Sequence, residues 1–212
     1  MAGLVSFNAA ADELGEPGQI SLGAERLFGV NFGSVKVEAD GGAESTTSAT
    51  DIGLLFNGGG PTPYTIPRLA LDYFVADGVS IGGSLGFTSH SGENESKLGG
   101  TTTSTDHPSV TSFAIAPRVG YVIPLTDGVD LWARGGITYW QRTTEGDPDD
   151  TKDSGLGLGL EGLFVISPIE GFGISIGPTI DFGLSGSTEV GDADADLTAT
   201  NFGLNAGLVG WF

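Results

Sequence analysis

Phe172 to Leu184 reads FGISIGPTIDFGL. Phe172, Ile174, Ile176, Pro178, Ile180, Phe182 and Leu184 take every second position, opposite Gly173, Ser175, Gly177, Thr179, Asp181 and Gly183. Period two is the strand period, because successive side chains of an extended chain point to opposite faces, whereas a helix repeats every 3.6 residues. The same division runs from Val79 to Phe87, where Val79, Ile81, Gly83, Leu85 and Phe87 face Ser80, Gly82, Ser84 and Gly86. It returns at the C-terminus, where Phe202, Leu204, Ala206, Leu208, Gly210 and Phe212 alternate with Gly203, Asn205, Gly207, Val209 and Trp211. Working outward from these stretches, the pattern predicts eight strands, over about 19–38, 66–76, 79–89, 110–124, 129–142, 154–166, 172–185 and 197–212. The number becomes ten if residues 49–56 form a strand and another is hidden within 19–38.

The connectors alternate between two kinds. Tight turns are expected at Ala76-Asp77-Gly78, at Thr126-Asp127-Gly128 and over Ser167–Gly171, since Asp-Gly suits the positive φ of a short hairpin. Long polar loops are expected at 39–65, 89–109, 143–153 and 186–196. Short turns at one end and long ones at the other define an all-β, closed, antiparallel up-and-down barrel. Residues 1–18 are set apart as a flexible N-terminal segment, and 19–212 form the barrel domain.

The polar face decides which way the barrel is turned. A soluble barrel dresses its outer face with long charged residues. Here the polar face is mostly Gly, Ser, Ala and Thr, which suits the crowded interior of an eight-stranded barrel. The apolar face then points into lipid, and the barrel spans a membrane. Arginine facing mid-bilayer lipid costs about 2–4 kcal/mol. In phase, Arg68 shares the polar face with Asp72, Arg118 with Ala114 and Ala116, and Arg134 with Asp130. Glu161 and Asp181 also alternate with large apolar neighbours. A charge removed from water must be paired, so Arg68, Arg118 and Arg134 are expected to form a lumen network with Asp72, Glu161 and Asp181. Glu25 joins them, and Arg26 beside it breaks the phase, which implies a bulge or a shift in that strand.

Composition agrees and excludes other classes. The 212 residues carry 27 Asp and Glu against 8 Lys and Arg, a net charge of −19, so nucleic acid is no partner. There is no cysteine, hence neither a disulfide framework nor a thiolate metal site. No window offers the ~20 apolar residues of a spanning helix. The N-terminus shows no basic segment followed by an apolar stretch, so any secretory signal is expected to have been removed.

From about Gln19 onward the chain resembles the small outer-membrane β-barrels of bacteria, the OmpA/OmpX-like class. The terminal Phe212, with Leu208, Ala206 and Leu204 alternating before it, is similar to the signal read by the outer-membrane assembly machinery, although Gly210 stands where a larger residue is usual. The resemblance implies a bacterial outer-membrane location, outer-membrane lipid and the assembly machinery as partners, a monomer, and long loops facing the outside of the cell. Fifteen acids lie in those four loops, against Lys97 and Lys152.

Candidate chemistry is sparse. Asp192, Asp194 and Asp196 echo the opening of a calcium loop, but the Gly at its sixth position and the Glu at its twelfth are missing. They are expected to make weak divalent-cation contacts at most, and no bound metal or cofactor is expected. His90 and His107 share one loop with Ser89, Ser91, Ser109 and Glu93, without a spacing that selects a nucleophile. Glycine doublets such as Gly82-Gly83 lack the Lys-Ser/Thr ending of a phosphate loop. Tyr73, Phe87, Tyr139, Phe164, Phe172 and Trp211 are expected in the interfacial girdles. The favoured role is non-enzymatic, namely envelope integrity or surface interaction through acidic loops. The rivals are a narrow porin-like channel for ions or small solutes, a rim hydrolase and a soluble carrier.

Overall fold

The computed structural model describes residues 13–39, 41–55, 62–98 and 101–212, and the side chains among them except those of 94–98 and 101–107. Nine strands follow one another: β1 (Ile20–Ala39), β2 (Ala43–Leu54), β3 (Arg68–Ala76), β4 (Val79–Leu98), β5 (Thr101–Thr126), β6 (Val129–Thr144), β7 (Thr151–Ile169), β8 (Phe172–Val190) and β9 (Ala193–Trp211). All pairings are antiparallel, and β1 bonds to β9 as well, so the sheet closes on itself. Ile20 and Phe212 exchange both backbone hydrogen bonds, at 3.0 and 3.1 Å, which brings the last strand to the start of the first.

The ring has eight places for its nine strands. β2 and β3 lie on the same side of β1, where β3 pairs with Ile20–Glu25 and β2 with Phe28–Ala39. They form one wall position interrupted between Leu54 and Arg68, and the 3-10 turn Pro63–Thr65 in that interruption is buried inside the barrel. This corrects the expectation of a plain loop over 39–65, and β2 includes most of the 49–56 stretch without adding a ninth place to the ring.

The short turns are as the sequence predicts, with Gly78, Gly128 and Gly171 at φ near +70°. The other end differs. β4 runs on to Leu98 and β5 starts at Thr101, while β8 and β9 meet over Gly191 and Asp192. The expected loops at 89–109 and 186–196 are therefore ladder extensions, and only Glu145–Asp150 remains loop in the third. About 10 residues cross the hydrocarbon, yet β5 has 26 and β7, β8 and β9 have 19 each. The excess ladder stands in water on both faces, so no apolar alternation marks it.

Outside, the membrane band consists of exposed apolar residues such as Leu69, Leu71, Ile81, Leu85, Val119 and Leu204. Inside, the lumen is filled in three layers, which can be read along β6 as Trp132, Arg134, Gly136, Thr138 and Trp140. At the short-turn end Leu14, Phe74, Val122, Trp132, Val165, Val209 and Trp211 form an apolar cluster. Tyr64, Ile66, Ala114, Trp140, Leu197 and Ala199 form a second at the opposite end. Trp211, expected in a girdle, is only 4 % exposed and lies inside, because it is in phase with Val209 and out of phase with Phe212. Residues 13–18, set aside as flexible, are folded: Leu14 enters the first cluster, Gly15 N donates to Gln19 Oε1 at 2.8 Å and Gly78 N to Gly15 O at 2.9 Å. Residues 1–12 lie outside the described residues.

Candidate functional site

The middle layer is a belt of charge. Arg118, on β5, places Nη1 2.8 Å from Glu25 Oε2 and Nη2 2.6 Å from Asp72 Oδ2, while its Nε donates to Asp72 Oδ1 at 3.0 Å. Arg134, on β6, reaches Glu25 Oε1 and Glu161 Oε2, both at 2.6 Å. Arg26, on β1, pairs with Asp181 at 2.9 Å and Glu161 at 3.2 Å. Three arginines thus tie together four carboxylates from β1, β3, β7 and β8. The seven side chains are at most 10 % exposed. Glu25 bridges Arg118 and Arg134, and Glu161 bridges Arg26 and Arg134 with Arg118 at 3.8 Å, so the ion pairs form a connected mesh.

Arg68 was expected in this mesh, but among the described residues it makes no ion pair. Its Nη2 donates to Tyr64 O at 3.2 Å, and Arg26 Nη1 donates to the same carbonyl. The two guanidinium groups thereby hold the inserted turn Pro63–Thr65 against the belt. Arg26 was missed as a member because it follows Glu25 directly, and regular alternation would have turned one of the two into lipid. Its φ of 54° and the break in pairing with β9 between Ala24 and Phe28 form a bulge, which turns both side chains inward.

An amide cluster adjoins the belt. Asn201 Nδ2 donates to Asp181 Oδ2 at 3.5 Å and to Asn31 Oδ1 at 3.3 Å, and Asn205 Nδ2 donates to Asn31 Oδ1 at 3.0 Å and Thr179 Oγ1 at 2.6 Å. Glycine makes room for these groups. A Cβ on Gly159 would lie 3.3 Å from Asp181 Oδ1, and one on Gly136 would lie 2.8 Å from Arg118 Cα. Cavities of about 20 and 10 Å³ border the belt, each about the size of a single water.

The remaining predicted residues lie elsewhere. Leu204, Leu208 and Phe212 point outward, 52, 40 and 51 % exposed. Asp192, Asp194 and Asp196 are exposed in the β8–β9 hairpin, and among the described residues no group of three or more His, Asp or Glu side chains is placed to hold a metal ion. His90 is exposed on the outer part of β4, and the side chain of His107 lies outside the described ones. Lys36 Nζ pairs with Glu38 at 2.5 Å and Glu44 at 3.1 Å on the exposed outer ladder.

The two arginines differ in partners, which sets a stability order. Arg26→Met is expected to lower the urea midpoint of the folded barrel in micelles more than Arg68→Met does, because it strands Asp181 as a buried, unpaired carboxylate. Equal midpoints for the two variants would contradict this account.

A closed ring with lipid-facing aliphatic residues, charges turned inward and its interior filled by side chains defines a small membrane-spanning β-barrel of the bacterial outer membrane. The chain belongs to the outer membrane protein beta-barrel domain family, which matches residues 1–209. No curated protein matches the sequence. Among solved structures the chain is similar to OprG of Pseudomonas aeruginosa, with TM-score 0.55 and 10 % identity over 93 % of this chain and 97 % of that one. It is similar to Neisserial surface protein A, with TM-score 0.50 and 11 % identity over 91 and 98 %. It is also similar to the outer membrane protease OmpT of Escherichia coli, with TM-score 0.50 and 11 % identity over 94 and 99 %. At such identities the likeness is one of fold. Barrels of this shape include surface proteins and a protease, so shape alone does not select a role.

Proposed function

We propose that this protein is a non-enzymatic outer-membrane barrel whose lumen is closed, and that it acts at the cell surface through its acidic outer ladder. The observation that carries this reading is the filled lumen: an aromatic layer at each end, the arginine–carboxylate belt between them, and cavities of about 20 and 10 Å³. Water-sized pockets flanked by buried ion pairs do not make a conducting path, whereas a porin keeps an open aqueous channel. The projecting ladders carry an excess of acids, which would steer cationic partners toward the surface and repel anionic ones. Phe212, Leu208 and Leu204 serve the assembly machinery in this reading, and the protein works as a monomer.

Planar-bilayer recording of the refolded protein tests it. The expected result is a silent membrane once insertion has been demonstrated by protease protection. Discrete, reproducible steps with ion preference would overturn the closed lumen in favour of a narrow channel. Arg134→Ala is expected to produce such steps or to lower stability, since it removes one partner each from Glu25 and Glu161.

A further inference from the structure

Along most of the ring each strand is bonded on both edges, but one stretch is not. Among the described residues β2 is bonded to β1 alone. The pairing of β3 with β4 ends at Arg68 and Gly86, so among the described residues the only strand that pairs with β4 from Phe87 to Leu98 is β5. At this level β2 occupies the wall position that should neighbour β4, yet the two strands stand more than 8 Å apart over nearly all of their length. Two unpaired strand edges therefore border one slot. Adjacent strands lie about 4.8 Å apart, so a strand bonded to both edges needs about 9.6 Å between them. Unpaired edges are templates for another chain, and adding an extended segment to a sheet edge is a recurrent mode of recognition.

The side chains beside the slot select the occupant. Asp51 pairs in register with Asn31, whose side chain is buried in the lumen, so Asp51 also faces inward. Its Oδ2 is buried without a hydrogen-bond partner. On the outward face Ile52, Leu54 and Phe87 are exposed, Ile52 at 80 %. An entering strand alternates between these two environments, so it should present a basic residue inward and an apolar residue outward. A second copy of this chain, at net charge −19, would bring like charge to an already acidic rim.

We propose that the slot between β2 and the outer part of β4 binds an extended partner segment in which basic and apolar residues alternate, adding a strand to the wall. The inference deepens the surface-interaction reading and rests on it. The test places the full chain in lipid nanodiscs and uses two probes of equal composition, a peptide of five Arg-Val repeats and one with five Arg followed by five Val. The alternating peptide is expected to bind about tenfold more tightly than the block peptide. It should slow amide hydrogen exchange in both Ala43–Leu54 and Phe87–Leu98. Asp51→Asn should remove most of the preference while leaving the barrel folded.

Three results would overturn the proposal. Equal binding of the two peptides without slowed exchange at the edges would mean charge attraction at the rim only. Slow exchange at both edges before any peptide is added would mean that they are already covered, and absence of binding would refute the slot outright. The bilayer recording separates the two readings: a silent membrane with no peptide binding removes this inference alone, and conduction with intact peptide binding removes the closed lumen alone.

Discussion

Replacing Arg118 by alanine is expected to destabilise the folded barrel by about 3–5 kcal/mol, the range for removing one partner of a buried ion pair. Arg118 makes close ion pairs with Glu25 and Asp72, and its Nε bonds Asp72 a second time. After truncation Asp72 would keep no cation within ion-pair distance among the described residues, and Glu25 would keep Arg134 alone. The measurement is the urea midpoint of the folded species in micelles, followed by the gel mobility of unboiled protein. Adding Asp72→Asn to the alanine variant should restore part of the loss, because the stranded charge goes with it. If Arg118→Ala shifts the midpoint no more than a surface substitution does, the belt does not stabilise the barrel. Arg118→Lys should fall between wild type and alanine, since an ammonium cannot reproduce the paired contacts of a guanidinium with both carboxylates.

The second large effect is expected at Trp132. Its indole is 1 % exposed, lies 5.7 Å from the ring of Phe74, sits 4.7 Å under the Arg134 guanidinium and donates from Nε1 to Ser80 Oγ at 3.2 Å. Trp132→Ala opens a hole in the short-turn cluster and should cost about 3–5 kcal/mol, as core aromatic truncations do. It also uncovers Arg134 and leaves Ser80 without its donor. Trp132→Phe keeps most of the volume and should cost clearly less, so comparing the two midpoints separates filling from the hydrogen bond. Comparable losses in both variants would make the Ser80 contact, not packing, the main contribution.

Much of this architecture was legible because lipid and a narrow lumen impose opposite demands on alternate residues. The strands around Phe172–Leu184 and Val79–Phe87, the short turns, and the inward direction of Arg118, Arg134, Glu161 and Asp181 all follow from one phase. That phase loses its force where water touches both faces. Ala43–Leu54 and the outer ends of β4, β5, β8 and β9 are rich in Ser, Thr and acids on either side, so pairing there left no periodic trace. Arg26 escaped for a different reason, since a single left-handed residue turns two neighbours to the same side and no rule of alternation can assign both. The turn Pro63–Thr65 gave no local signal of entering the lumen. What holds it there, the carbonyl of Tyr64 between Arg26 and Arg68, is long-range for one of the two arginines. Trp211 was the converse case, legible from its phase with Val209 but assigned by residue type to the interface.

The bulge on β1 also bears on how the barrel is completed. β1 makes the seam with β9, and it carries Glu25 and Arg26 side by side. Whenever β1 is drawn away from the lumen with that seam open, Arg134 lacks one of its carboxylates, Arg118 keeps only its contacts with β3 and β7, and Asp181 has no arginine among the described residues. An unzipped intermediate therefore carries uncompensated charge in the very compartment that is about to lose its water. The last strand to dock neutralises both signs at once, so the seam behaves as a latch that rewards complete closure and penalises a partial one.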